Sequence, residues 1–256
     1  MSGIENFAQI VDEAARTATA IPQLTDTTPD LTVADAYAIQ AASIQRRLAR
    51  GERRIGIKMG LTSRAKMVQV GVNEPVWGRL TNAMLAEEGG FISRARFIHP
   101  RAEPEIAFLM KRTLVGEVTL TEALAAVEAV APAIEIIDSR YRDFKFALPD
   151  VVADNSSSSA LVVGPWGRPD IDMSNLGMIL ECDGRAVQIG SSAAILGHPL
   201  RSLVMAAKVV ARAGEKLEAG DIVLAGGATA AHGLAVGNHV RVTVQGLGSA
   251  SFSVAA

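Results

Sequence analysis

His99-Pro100-Arg101-Ala102-Glu103-Pro104-Glu105-Ile106-Ala107-Phe108-Leu109-Met110 is the stretch on which the reading of this chain turns. Residues two apart on an extended strand face the same side, so Glu103 and Glu105 can aim both carboxylates at one point. Ile106, Phe108 and Met110 carry the apolar content onward. Pro104 lacks an N–H, which predicts the start of a strand or an edge position. A third carboxylate, Glu135, sits in the apolar run Ala131-Pro132-Ala133-Ile134-Glu135-Ile136-Ile137-Asp138. An unpaired negative charge there is costly to bury, so a positive partner is expected.

Two readings of these glutamates stay open on spacing alone. In one they are solvated strand residues or ion-pair partners of Arg101 and Arg140. In the other they are three oxygen ligands of a hard divalent cation, Mg²⁺ or Mn²⁺, with water or substrate filling the remaining positions.

With 256 residues, 49% hydrophobic and 20% charged, the chain can bury a substantial core. The expected division is a small helical N-terminal segment, residues 1–52, followed by a large β-rich domain, residues 53–256. A net charge of −2 gives no electrostatic case for nucleic acid or an anionic membrane and favours a small-molecule partner. Cys182 is the sole cysteine, which excludes an internal disulfide and a cysteine-based zinc site and predicts a buried structural thiol. No apolar run reads as a membrane span and the N-terminus lacks a basic-then-apolar leader, so a cytoplasmic protein is expected.

Phe7, Ile10, Val11, Ala14 and Ala15 recur at helical spacing, and Thr32 with Asp35 predicts a capped second helix ending at Gly51. The period then changes. Ile55, Ile57, Met59 and Leu61 alternate with Gly56, Lys58, Gly60 and Thr62, a strand with Lys58 on the face opposite the aliphatic side chains. Its flanking glycines leave room for a ligand, although an ordinary surface lysine on an edge strand has the same pattern. Thr62 to Met67 reads as the start of a short helix ending by Gly71, and Leu120 to Val130 as a helix opening at Thr119 or Thr121. The tract Val151 to Ser159 is expected to be a hydroxyl-lined loop. Asp183-Gly184 predicts a hairpin turn, His198-Pro199 introduces a helix closed near Gly214, and residues 222–224, 239–244 and 249–254 read as strands.

Neither a Gly-x-Gly-x-x-Gly nor a phosphate-binding Gly-x-x-x-x-Gly-Lys-Ser/Thr segment is present, and the four histidines show no zinc spacing. His198 reads as a structural loop residue. Ser157 with Asp154 lacks the Gly-x-Ser-x-Gly elbow of a hydrolase nucleophile.

Gly56-Ile57-Lys58-Met59-Gly60-Leu61-Thr62-Ser63, Pro100 to Phe108, Pro132 to Arg140, Val152-Ala153-Asp154-Asn155-Ser156-Ser157, Leu196-Gly197-His198-Pro199 and Gln245 to Ser249 together resemble the hydratase/decarboxylase family of meta-cleavage aromatic catabolism, within the fumarylacetoacetate hydrolase superfamily. The resemblance covers nearly the whole chain. It implies an α+β fold, a mixed β-sandwich or roll with flanking helices. It also implies Mg²⁺ or Mn²⁺ held by Glu103, Glu105 and Glu135, with Lys58 as the catalytic residue. Thr62, Ser157 and Thr229 become candidate hydrogen-bond donors to substrate. Lys145, Arg64 and Arg140 become candidates for a distal carboxylate.

Lys58 to Met67, Asp138 to Phe146 and Gly226 to Ala231 are more similar to the decarboxylases of that family than to its hydratases. Hydratases usually carry Pro-Asp-Phe-Gly where this chain has Pro75-Val76-Trp77-Gly78, and Val76 removes an acid/base group that could manage water. The implied reaction is decarboxylation of 2-oxo-3-hexenedioate to 2-hydroxypenta-2,4-dienoate and CO2. Hydration of 2-hydroxypenta-2,4-dienoate (2-keto-4-pentenoate) is the alternative, and a non-catalytic subunit stabilising a partner hydratase is a third reading. The resemblance further implies a homo-oligomer able to associate with the cognate hydratase.

Overall fold

The computed structural model describes residues 3–63, 67–68 and 73–256. Two helices come first. In α1 (Gly3–Thr17), Ala8, Val11 and Ala14 face inward. The second helix, α2 (Val33–Ala49), opens with the expected capping box, in which Thr32 accepts from the Asp35 N–H and Asp35 accepts from the Thr32 N–H. Gly51, at φ +98°, follows its end. Val11, Leu24 and Ile39 share a core with Val76, Tyr141 and Val152 from later in the chain.

Among the described residues the strands form two sheets. The larger has the order β2 (Val76–Thr81), β1 (Arg54–Gly60), β10 (Ile222–Leu224), β5 (Arg101–Met110), β6 (Val127–Ile137), β7 (Ser158–Val163) and β3 (Leu85–Ala86), and the short β11 (His232–Gly233) also pairs with β5. The smaller runs β4 (Phe91–Ser93), β13 (Gly248–Ala255), β12 (His239–Val244), β8 (Gly177–Cys182) and β9 (Arg185–Ser191). Ile106, Phe108, Ile134 and Ile136 from the first sheet pack with Met178, Leu180, Val242 and Phe252 from the second. The result is a mixed β-sandwich with flanking helices.

Local signals mostly hold. The β8–β9 hairpin turns at Asp183 and Gly184, both with positive φ as a type I′ turn requires. Helix α5 (Pro199–Arg212) starts at His198, whose Nδ1 accepts from the Leu200 N–H at 3.1 Å. Cys182 is buried and free.

Four expectations change. Pro104 lies inside a central ten-residue strand, not at its start or an edge. Its carbonyl accepts from Ala228 N in the gap between β10, which pairs as far as Ala107, and β11, which begins at Ala102, so its missing N–H interrupts no ladder there. Helix α3 covers only Leu120–Ala125, because Val127 onward is drawn into β6 by pairing along the whole of β5. The serine tract is not one loop. It ends helix α4 (Leu148–Ala153), makes a left-handed turn at Asn155–Ser157 and enters β7 at Ser158. Finally, Ser192–Arg212 does reach the length and hydropathy of a membrane span. It folds as a short turn and the 14-residue α5, with Leu203, Ala206, Ala207 and Val210 in the inter-sheet core. The helix expected from Thr62 to Gly71 falls largely outside the described residues.

Candidate metal centre and active site

The alternation of three strands builds the site. Ile57 and Met59 on β1, Ala102 and Ile106 on β5, and Ile134 and Ile136 on β6 all enter the inter-sheet core. Lys58, Glu103, Glu105 and Glu135 must therefore emerge from the other face of the larger sheet. Register then gathers them: Glu103 lies directly opposite Glu135 across β5–β6, and β10 places Leu224 between Lys58 and Ala107. Lys58 is on an internal strand and 3% exposed, so the surface-lysine reading is overturned.

One carboxylate oxygen from each of Glu103, Glu105 and Glu135 lies within 4.8 Å of the other two. Glu105 and Glu135 are fully buried. Glu105 Oε2 accepts from the Gly226 N–H at 2.6 Å, and Lys58 Nζ lies 2.9 Å from Glu135 Oε2 as a buried ion pair. Oε1 of Glu105 and Oε1 of Glu135 have no hydrogen-bond partner. Burial, then the neighbouring Glu135, pushes the Glu105 carboxyl well above its ordinary range, and burial likewise raises that of Glu135 against the pull of Lys58. Burial alone would lower the Lys58 ammonium, but Glu135, Glu103 and Glu105 together raise it. Among the described residues, Lys58 sets one ammonium against these three carboxylates. Orphaned buried oxygens and an all-carboxylate donor set fit a hard divalent cation.

The ion-pair alternative fails for both arginines. Arg140 binds the Asp154 carboxylate and carbonyl and the Ser159 hydroxyl, and Arg101 is exposed with its guanidinium 4.1 Å from the Phe144 ring centre. Neither is turned to the glutamates.

Above Lys58 and Glu103 lies a cavity of about 240 Å³. Thr62, Ser156 and Ser157 supply hydroxyls, while Leu61, Val76, Ile137, Phe144, Phe146 and Leu148 supply an apolar wall. The Asn155-Ser156-Ser157 turn is left-handed throughout, with φ of 49°, 51° and 61°. Such backbone persists only where the surroundings hold it. Here Asn155 accepts from the Arg79 N–H and donates to the Arg79 carbonyl, and Ser156 Oγ donates to the Trp77 carbonyl at 2.8 Å. Gly78 admits the turn, since a Cβ there would lie 2.4 Å from Asn155 O. Ser157 Oγ is left buried without a partner.

Of the residues expected at the site, Lys58, Thr62, Ser157 and the three glutamates are brought together. Thr229 is outside the cavity lining, and its hydroxyl donates to Ala230 O at 2.9 Å. Lys145 is exposed and outside the lining. Arg64 lies outside the described residues. Phe144, Phe146, Leu148, Ser156 and the Gly226 N–H join the site beyond those expectations. The alternation Phe144-Lys145-Phe146 was a readable sign that the rings and the lysine part company.

This chain matches the fumarylacetoacetate (FAA) hydrolase C-terminal family over residues 5–255. It is 59% identical over 250 residues to a 4-oxalocrotonate decarboxylase from Pseudomonas sp., covering 98% of this chain and 97% of that protein. It is 37% identical to the 2-hydroxyhexa-2,4-dienoate hydratase of Comamonas testosteroni, covering 97% and 96%. The solved structure of the 4-oxalocrotonate decarboxylase from Pseudomonas putida G7, complexed with magnesium and adipate, superimposes with a TM-score of 0.95 at 39% identity, covering 98% of this chain and 97% of that one. Sandwich, glutamate trio and full-length similarity agree: the chain is a member of the fumarylacetoacetate hydrolase family.

Proposed function

We propose that this protein catalyses the metal-dependent decarboxylation of 2-oxo-3-hexenedioate to 2-hydroxypenta-2,4-dienoate and CO2. The observation that carries this reading is the cluster of three carboxylates and one buried lysine, of which Glu103 and Lys58 reach a largely apolar cavity. Glu103, Glu105 and Glu135 would hold Mg²⁺ or Mn²⁺, which when bound supplies Lewis acidity toward the 2-oxo acid end of the substrate.

In the reaction the C5–C6 bond breaks and its electrons pass through the C3=C4 double bond to the C2 oxygen. Lys58 supplies positive charge, and a proton donor, to an oxygen that becomes negative as CO2 departs. Thr62 and Ser157 offer hydroxyls to the substrate oxygens. The Phe144 and Phe146 rings keep water from the reacting carbons, which strengthens the interactions of Lys58 with developing charge. Val76 stands in the cavity wall and offers no acid or base to activate water. Further support comes from the 59% identity to a decarboxylase and from the adipate, a six-carbon dicarboxylate, held by the Pseudomonas putida G7 enzyme.

Assembly into a homo-oligomer and association with a cognate hydratase belong to the same proposal. Phe91 and Ile189, 77% and 75% exposed, project from β4 and β9, the two outer strands of the smaller sheet.

The test supplies 2-oxo-3-hexenedioate with Mg²⁺ and measures CO2, with 2-hydroxypenta-2,4-dienoate in parallel. CO2 release that stops with a chelator and falls about 10²–10³-fold in Lys58→Met is expected. Hydration of the dienoate without CO2 release reverses the assignment to a hydratase.

A further inference from the structure

A second cavity, of about 220 Å³, lies between the N-terminal helices and the larger sheet and is lined by Arg16, Arg47, Arg50, Arg96 and Arg140. Three acidic side chains also face it, and each is already engaged. Asp12 takes Arg46 and Arg50, Asp138 accepts from the Ile98 and His99 N–H groups, and Glu52 accepts from the Thr81 hydroxyl. With Glu13 against Arg16, Asp154 against Arg140 and Arg46 sharing Asp12, six guanidiniums meet five carboxylates in and around the cavity among the described residues, an excess of one positive charge.

The arginines are not equally occupied. Arg16 is paired with Glu13 and Arg50 with Asp12. Arg96 donates to the Ala83 carbonyl at 3.3 Å. Arg47 has no ion pair among the described residues, and burial, opposed by Glu52 and reinforced by Arg140, holds its guanidinium below its ordinary value. Arg140, 3% exposed, uses one hydrogen from each of its nitrogens on Asp154 and Ser159, which leaves N–H groups to spare.

We propose that this arginine-lined cavity is a second small-molecule site, taking a compact oxyanion, phosphate or carboxylate, between Arg47 and Arg140. Guanidiniums that repel one another across a small polar space are stabilised by a multidentate anion, which each can meet with paired N–H groups. The site is separate from the glutamate centre but hydrogen-bonded to the turn beside it, in part through the lining residue Asp138, whose N–H donates to Ser157 O at 2.8 Å. The Asp154 carbonyl oxygen accepts from Arg140 Nη2 at 2.7 Å and from the Ser157 N–H at 2.9 Å, so the cavity and the left-handed turn of the active site share an acceptor.

Calorimetric titration of the full-length protein with inorganic phosphate and, separately, with succinate tests this. Arg47→Gln and Arg47→Lys serve as variants, with folding verified by circular dichroism. One saturable site for at least one anion is expected, weakened about tenfold or more by Arg47→Gln, the value of a lost charge-assisted hydrogen bond, and less by Arg47→Lys. Phosphate binding alone assigns a tetrahedral oxyanion, and succinate binding alone a carboxylate. Absence of saturable binding by either, or equal affinity in wild type and Arg47→Gln, overturns the proposal.

Discussion

Glu105 is fully buried beside two other carboxylates, an arrangement expected to cost folding stability in the absence of a cation. Glu105→Gln keeps the shape and removes the charge. The metal-free variant is expected to melt higher than wild type, at roughly 2–4 °C per kcal/mol of relieved repulsion. Its gain in melting temperature on adding Mg²⁺ is expected to shrink or vanish. Thermal scans of both proteins with chelator and with Mg²⁺ measure the two effects together. A variant melting no higher than wild type in chelator shows that repulsion at this carboxylate is not a cost. Gly226 carries a second prediction. Its φ is +113°, a Cβ would lie 2.1 Å from Thr62 Oγ1, and its N–H holds Glu105. Gly226→Ala is expected to cost about 1–3 kcal/mol through backbone strain and to weaken metal affinity by moving Glu105. Metal titration of the folded variant would show unchanged affinity if the glycine were a mere spacer.

At the level of elements, α1 and α2 are clasped by Asp12, which is 2% exposed and receives Arg50 at 2.6 and 2.7 Å and Arg46 at 3.1 Å. Burial raises the Asp12 carboxyl, but Arg50 and Arg46 outweigh it and leave the group below its ordinary 3.8. A depressed folded-state value means that the clasp contributes fully above the unfolded-state value and is lost as pH falls through the folded one. Asp12→Asn is therefore expected to cost about 1–3 kcal/mol at pH 7 and progressively less as pH falls below 3.8. Urea midpoints across pH 3 to 7, a range chosen on that linkage, measure the convergence. A gap that stays constant, or widens in acid, contradicts the clasp.

Across the whole molecule, the two faces of the larger sheet do different work. One face closes on the smaller sheet through apolar side chains, and the other presents Lys58 and the three glutamates. Phe252, fully buried between the sheets, belongs wholly to the first task. Phe252→Ala is expected to cost about 3–5 kcal/mol in chemical denaturation, yet leave metal affinity of the folded protein unaltered, since Phe252 packs on the opposite face of the larger sheet from the glutamates. A matching loss of affinity would mean that the faces are coupled.

The amino-acid sequence by itself determined the features that short-range physics controls: the capped α2, the Asp183-Gly184 hairpin, the start of α5 at His198, and the alternation that sets Lys58 and the glutamates apart from their aliphatic neighbours. The ordered motifs also carried the family resemblance. Tertiary structure alone decided that β1 is internal, that Pro104 sits mid-strand in a gap of the ladder, and that residues after Ala125 join β6 rather than extend a helix. It also decided which side chains line the cavity, turning Phe144 and Phe146 inward and Lys145 outward, and pairing Arg140 with Asp154. The reason is physical. Capping, turn conformation and side-chain alternation depend on a few adjacent residues, whereas strand order, register and the burial of charge depend on pairings between segments far apart in the chain.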